Sequence, residues 1–256
     1  MKFRGLLVSL FLFLSACSVQ EFPNDPKIDV KAGAKDRVAI AAEYLQKGEN
    51  ERAQIHLKKA LELDPKSAEA HNLMAILLDR ESDLKGADKH YRKAISLQEN
   101  FSKAHNNYGI FLFRQERYKD AAENFEKAAG DIGYPLRAQS FEGLGRTALK
   151  QGDTERAERA FQRALRIDSN IAGANLEMAD INFQRQNMPA AQAYYKRYLK
   201  LTPDQSQTAR SLWLGIRIER QLGDHNALAS YELALQRLYP GSPEHKAYQA
   251  SLKPGR

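Results

Sequence analysis

Small residues return along this chain at an almost constant interval, and each return carries the same apolar face with it. Ala53, Ala87, Ala121, Ala157, Ala191 and Ala227 are separated by 34, 34, 36, 34 and 36 residues. Four positions after each stands a large side chain, in turn Leu57, Tyr91, Phe125, Phe161, Tyr195 and Tyr231, and three further on stands Ala60, Ala94, Ala128, Ala164, Tyr198 or Ala234. Positions i, i+4 and i+7 share one face of an α-helix, so the pattern predicts six amphipathic helices. A second small series, Ala41, Ala75, Gly109, Gly145, Ala179 and Gly215, runs twelve residues ahead and predicts another helix before each. Turn formers such as Gly48-Glu49-Asn50 and Gly152-Asp153 separate the members of a pair, and Asp64-Pro65 and Thr202-Pro203 end the second helix.

Six helix pairs follow, at about 34–67, 68–101, 102–137, 138–171, 172–205 and 206–241. The small residues let two helix axes approach and the large one fills the space beside them. This is the signature of the tetratricopeptide repeat, which implies an all-α fold, a right-handed superhelical solenoid of stacked hairpins. A lone hairpin has too little apolar surface to bury, so stability has to come from its neighbours. Four places depart from the period. Gly130 to Pro135 lengthens the third repeat by two residues and should alter the geometry there; Gly143 interrupts a helix; Tyr198 replaces a small residue; and Gly215, Ile218, Gly223 and Tyr231 fit the sixth repeat only with a shifted turn. Residues 242–256 read as a capping helix and a tail.

The N-terminus changes the picture from a soluble repeat protein to an anchored one. Met1 to Ala16 places Lys2 and Arg4 before a nine-residue apolar run, Leu6 to Leu14, too short to cross a bilayer and typical of a secretory signal. Leu14-Ser15-Ala16-Cys17 resembles the bacterial lipobox, and Cys17 is the chain's one cysteine. The expected mature protein begins at a lipidated Cys17, with residues 17–33 as a flexible linker bearing Pro23, Pro26 and Gly33. Ser18, where Asp would retain a lipoprotein at the inner membrane, points to the periplasmic face of the outer membrane. Loss of the signal lowers the formal charge from +7 to +5.

Candidate chemistry is sparse. The chain has no HExxH, phosphate-binding glycine loop or GxSxG, and no Cys/His ligand set, so neither catalysis nor a metal is expected. His71 and His105 occupy one repeat position, and His56 and His90 another, so the repeat explains them. Asp64 with Glu62, and Glu123 with Glu126, read as solvated helix faces. Basic residues are interspersed with 32 acids, which argues against nucleic acid as a partner. No small-molecule substrate and no cofactor are expected beyond the covalent lipid at Cys17.

What remains is a surface. In tetratricopeptide solenoids the first helices line a concave groove, and the corresponding positions here are Asn72, Ile76, Asp79, Arg80, Lys103, Asn106, Ile110, Phe113, Arg114, Arg146, Lys150, Leu176, Asp180 and Phe183. Apolar residues flanked by amides and charges suit an extended segment or a helix of another protein. Of these, Asn72, Ile76, Asn106, Ile110, Phe113, Arg146 and Phe183 are the candidate contact residues; Ile110 and Phe113 could equally pack on the second helices, and Trp213 could be core or an exposed anchor.

Several strings carry a closer resemblance: Asn106-Asn107-Tyr108-Gly109, Asp131 with Tyr134-Pro135 in the insertion, Phe141 to Gly145 (FEGLG), Ser211 to Arg217 (SLWLGIR) and Arg237 to Ser242 (RLYPGS). With the lipobox, they resemble the PilF/PilW family of type IV pilus biogenesis lipoproteins. The resemblance implies a partner, the pilus secretin, whose localisation and multimerisation in the outer membrane such proteins promote, while some relatives stabilise pili instead. A general envelope scaffold that recruits other proteins is the alternative. On the groove assignment, Asn106→Ala with Phe113→Ala should weaken secretin binding and leave helicity intact.

Overall fold

The computed structural model describes residues 30–203 and 206–252. The signal, Cys17 and nearly all of the linker lie outside the described residues. Thirteen helices and no strand are found among those described: α1 (Val30–Gln46), α2 (Asn50–Leu63), α3 (Ala68–Arg80), α4 (Leu84–Leu97), α5 (Ser102–Arg114), α6 (Tyr118–Gly130), α7 (Arg137–Lys150), α8 (Thr154–Ile167), α9 (Ala172–Gln184), α10 (Met188–Leu201), α11 (Ala209–Leu222), α12 (His225–Leu238) and α13 (Pro243–Ser251). They form six antiparallel hairpins, α1/α2 to α11/α12, stacked in chain order as an all-α tetratricopeptide solenoid. Helix α1 starts at Val30, so Val30 to Gly33 are helical where the sequence reads as linker.

The periodic positions are the core. Ala53, Ala87, Ala121, Ala157 and Ala191 are fully buried, and the large residue four positions on, from Leu57 to Tyr195, is buried with each. Helix starts are set by side chains that accept the backbone N–H three residues ahead: Ser67, Asp83, Asp153, Asn187, Asp224 and Ser242 each do so. Each hairpin turns through one left-handed residue, in order Gly48, Ser82, Glu116, Gly152, Gln186 and Gly223, with φ between 58° and 80°. Three are glycine, which takes that conformation freely; the other three bear a cost of about 1 kcal/mol that the flanking helices hold in place.

The sixth hairpin differs at this turn. Helix α11 ends directly at Gly223, and Gly223 and Asp224 alone separate it from α12, where the second to fifth hairpins have three intervening residues. The phase of α11 is shifted by one residue as a result. A Cβ on Gly215 would come within 2.4 Å of the Tyr195 hydroxyl oxygen, so Gly215 faces α10 of the preceding hairpin, whereas Gly109 and Gly145 face the second helix of their own. Tyr231 and Ala234 on α12 are only half-buried, since among the described residues no further hairpin packs on α12. Helix α13 packs mainly on α11: Tyr248 is buried with its ring edge-on to Trp213 at 6.5 Å, Arg220 stacks on Tyr248, and Gln236 of α12 donates to the Tyr248 hydroxyl at 3.3 Å. Trp213 is therefore part of the terminal core.

The two-residue insertion brings α7 against α6. Asp131 at its start accepts the Ser102 hydroxyl and the Gly133 amide, pinning the link to α5. Gly143, the glycine in mid-helix, then sits on the Phe125 ring, where an added Cβ would stand 2.6 Å from two ring carbons. Gly109 meets the same ring at 2.9 Å, so Phe125 is clamped between two glycines of successive first helices.

The histidines of equal phase also have a structural role. The fourth residue of a repeat faces the twenty-third: Arg37 meets His56, His71 meets His90, and His105 meets Asn124. His71 Nε2–H donates to the Pro65 carbonyl at 3.1 Å, which leaves its Nδ1 to accept from His90 Nδ1–H at 2.9 Å. Burial lowers both imidazole pKa values below the ordinary 6.5. Between the folded and unfolded values the unfolded chain binds more protons, so this pair's contribution is complete above about pH 6.5 and is lost as the pH falls. The melting temperature is expected to fall from pH 7 to pH 5, with a shallower fall in His90→Asn, which reproduces the His105–Asn124 arrangement; thermal melts over that range test this.

Candidate partner-binding groove

One turn of α5 after another presents Asn106, Ile110, Phe113 and Arg114 on a single face, and α7 opposes it with Gln139, Glu142, Gly143 and Arg146. Together they enclose an open cavity of about 370 Å³ whose floor is the Phe125 ring. Gly143 is what lets α7 close on that buried ring, since any side chain there would run into it. Ile110 is 45% exposed, which is unusual for an isoleucine flanked by core positions. Phe113 is half-buried, edge-on to Tyr118 at 5.5 Å, and the Arg146 guanidinium stands 5.4 Å from its ring centre. Burial raises the Glu142 carboxyl above its ordinary value, with Arg146 opposing and Glu177 adding to the shift. The cavity is thus apolar below and charged at its rim, the anatomy of a side-chain pocket for a peptide.

Not all the residues assigned to the groove reach it. Asn106, only 4% exposed, accepts the Ser140 hydroxyl at 2.9 Å, so it belongs to the contact between α5 and α7 more than to the surface. Asn72 is fully buried and accepts from Asn107 Nδ2 at 3.1 Å. Ile76 is half-buried between the cores of the first and second hairpins. Phe183 lies at the far end of the solenoid beneath the Arg217 guanidinium at 4.7 Å. The seven candidates therefore do not form one surface: Asn106, Ile110, Phe113 and Arg146 converge, and the other three do not.

Asp79, Lys103, Arg114 and Asp180 among the charged candidates are held in ion pairs. Lys103 pairs with Glu69 at 3.4 Å, Arg114 with Asp79, and Arg210 with Glu177 and Asp180 at 2.7 and 2.9 Å, each bridging equivalent turns of successive first helices. Arg80 donates to the Leu45 carbonyl at 2.6 Å, at the C-terminal end of α1. The sequence reading missed Phe125, Gln139, Glu142 and Gly143 as cavity residues. The signal was there in Gly143, a helix-weakening residue at a position with no turn to make.

Tetratricopeptide-repeat models match the chain over residues 37–67, 68–101, 101–170 and 143–206. The type IV pilus assembly protein PilF of Pseudomonas aeruginosa is 38% identical over 253 residues, 98% of this chain and 99% of the relative. The solved structure of P. aeruginosa PilF superposes with a TM-score of 0.83 at 37% identity, over 87% of this chain and 99% of that one. PilW, described as a widely conserved type IV pilus biogenesis factor, superposes with a TM-score of 0.70 at 27% identity, over 84% of this chain and 98% of its own. With similarity running almost end to end in sequence and over most of the chain in structure, the chain belongs to the PilF/PilW family of tetratricopeptide type IV pilus biogenesis proteins.

Proposed function

We propose that this protein acts in type IV pilus biogenesis as a non-enzymatic outer-membrane lipoprotein that binds the pilus secretin and promotes its localisation and multimerisation. The near full-length similarity to a type IV pilus assembly protein carries the reading. The lipid on Cys17 supplies the membrane address, and the solenoid holds a secretin segment until the multimer closes. Support for a peptide-holding role comes from the cavity between α5 and α7, where an apolar side chain of the partner would rest on Phe125 between Ile110 and Phe113.

The test is a secretin blot of unboiled inner- and outer-membrane fractions from wild-type, deletion, Cys17→Ser and Ile110→Asp strains. Ile110 replaces Asn106 as the groove probe because it is exposed and its loss leaves the Ser140 contact intact. Outer-membrane multimers are expected to disappear in the deletion strain and monomer to accumulate inside in Cys17→Ser. Ile110→Asp should retain its own membrane location and weaken secretin binding about tenfold, roughly 1.4 kcal/mol. Normal multimers in the deletion strain would remove the secretin role and leave an envelope scaffold; normal binding by Ile110→Asp would move the contact to another surface.

A further inference from the structure

A hollow of different character lies on the other side of α7. Arg137, Phe141 and Leu144 project about half a turn away from the groove residues Gln139, Glu142 and Arg146. Between α6, α7 and α8 they help line three adjoining hollows of about 230, 280 and 150 Å³, and Phe141 and Arg163 belong to all three. The first is walled by Arg137, Arg163 and Arg166 with Phe141 and Ile167, and no carboxylate lines it.

Its electrostatics are unbalanced. The guanidinium carbons of Arg137 and Arg163 stand 5.4 and 5.6 Å from the centre of the same Phe141 ring, and so no more than about 11 Å from each other. That is about one Debye length at ~0.1 M salt, so the two cations repel. The acids nearby are committed elsewhere: Glu126 pairs with Arg156 at 2.6 Å, Glu155 with Arg159 at 3.7 Å, and Glu158 with Arg185 at 2.6 Å. Among the described residues no carboxylate comes within ion-pair distance of Arg137, Arg163 or Arg166.

We propose that this furrow is a second docking surface, which takes an acidic segment of a partner protein. Carboxylates enter the three-arginine hollow, where planar guanidinium groups hold them through paired hydrogen bonds, and an apolar side chain covers Phe141 and Leu144. An extended peptide fits better than an isolated anionic headgroup. The charged hollow continues into two more that share Phe141 and Leu144 and are edged by Glu126, which Arg156 neutralises, and a single phosphate would leave these empty. Because the furrow and the α5/α7 cavity lie on opposite faces of α7, both can be occupied at once.

The full chain is titrated by fluorescence anisotropy with a labelled peptide in which Asp and Leu alternate. Saturable binding is expected, weaker at higher salt, and reduced about tenfold or more by Arg163→Gln with Arg166→Gln. Both arginines are exposed, so circular dichroism and the melting temperature should be unchanged. Arg197→Gln on α10, an exposed arginine that lines neither the furrow nor the α5/α7 cavity, should bind as the wild type does, and a peptide with Asn in place of Asp should not bind. Undiminished affinity in the double variant, equal binding of the Asn peptide, or no peptide binding would overturn the proposal. A parallel titration with a soluble short-chain phosphatidylglycerol covers the other occupant: lipid binding through the same two arginines, without peptide binding, would overturn it in favour of a headgroup site.

Discussion

Phe125→Ala should lower the stability of this protein by about 3–5 kcal/mol, the range for removing a fully buried phenylalanine whose site cannot collapse. Collapse is blocked because helix backbone stands on both sides of the ring, at Gly109 and Gly143. The same clamp makes Gly143 sensitive in the opposite sense. Alanine normally improves a helix over glycine by about 1 kcal/mol, but here its methyl would enter the ring at 2.6 Å, and overpacking of this kind costs about 1–3 kcal/mol. Gly143→Ala is therefore expected to destabilise the wild type and to stabilise Phe125→Ala, where the methyl has room. Chemical denaturation of the four proteins of this cycle measures the reversal; a Gly143→Ala effect of the same sign in both backgrounds would show that the ring is not clamped.

Asp88→Ala is expected to cost about 2–3 kcal/mol, the scale for breaking hydrogen bonds to a charged group. Its carboxylate accepts the Tyr108 hydroxyl at 2.8 Å and Arg117 Nη1 at 2.7 Å, while Arg92 pairs with its other oxygen at 2.8 Å. One side chain on α4 thereby joins α5 and the turn before α6, tying the second hairpin to the third. Partial burial alone would raise the Asp88 pKa, but the bonds from Tyr108 and Arg117 and the charge of Arg92 outweigh it and hold the value below the ordinary 3.8. The sign of the pH effect follows. A carboxyl depressed by folding contributes fully above its unfolded value and loses that contribution as the pH falls through the folded one. Below about pH 4 the wild type should lose stability faster than Asp88→Asn, and denaturation midpoints across that range decide it; parallel slopes would assign the acid sensitivity to other groups.

The periodic small and large positions were sufficient to place all six hairpins, because close helix approach constrains both helices of a pair at the same residues. Ala53, Ala87, Ala121, Ala157 and Ala191 are buried for that reason. The insertion after Gly130 and the irregular sixth turn were also legible, since extra or missing residues break a period visibly. Their consequences were not. That α7 closes on α6 until Gly143 touches Phe125, and that α11 gains a residue and turns Gly215 toward Tyr195, depend on how each helix rotates against its neighbour.

The candidate site divides along the same line. Asn106, Ile110, Phe113 and Arg146, chosen by position within a repeat, line one cavity because equivalent turns of successive first helices lie side by side. Repeat position could not tell that Asn72 and Asn106 would be consumed by hydrogen bonds between those helices, or that Arg217 would cover Phe183. Sequence by itself determined the all-α repeat fold and the family, both of which rest on local periodicity and short strings. Tertiary structure alone decided which polar and aromatic groups remain open to a partner, because exposure depends on the side chains that neighbouring hairpins bring up, and those lie some 34 residues away in the chain.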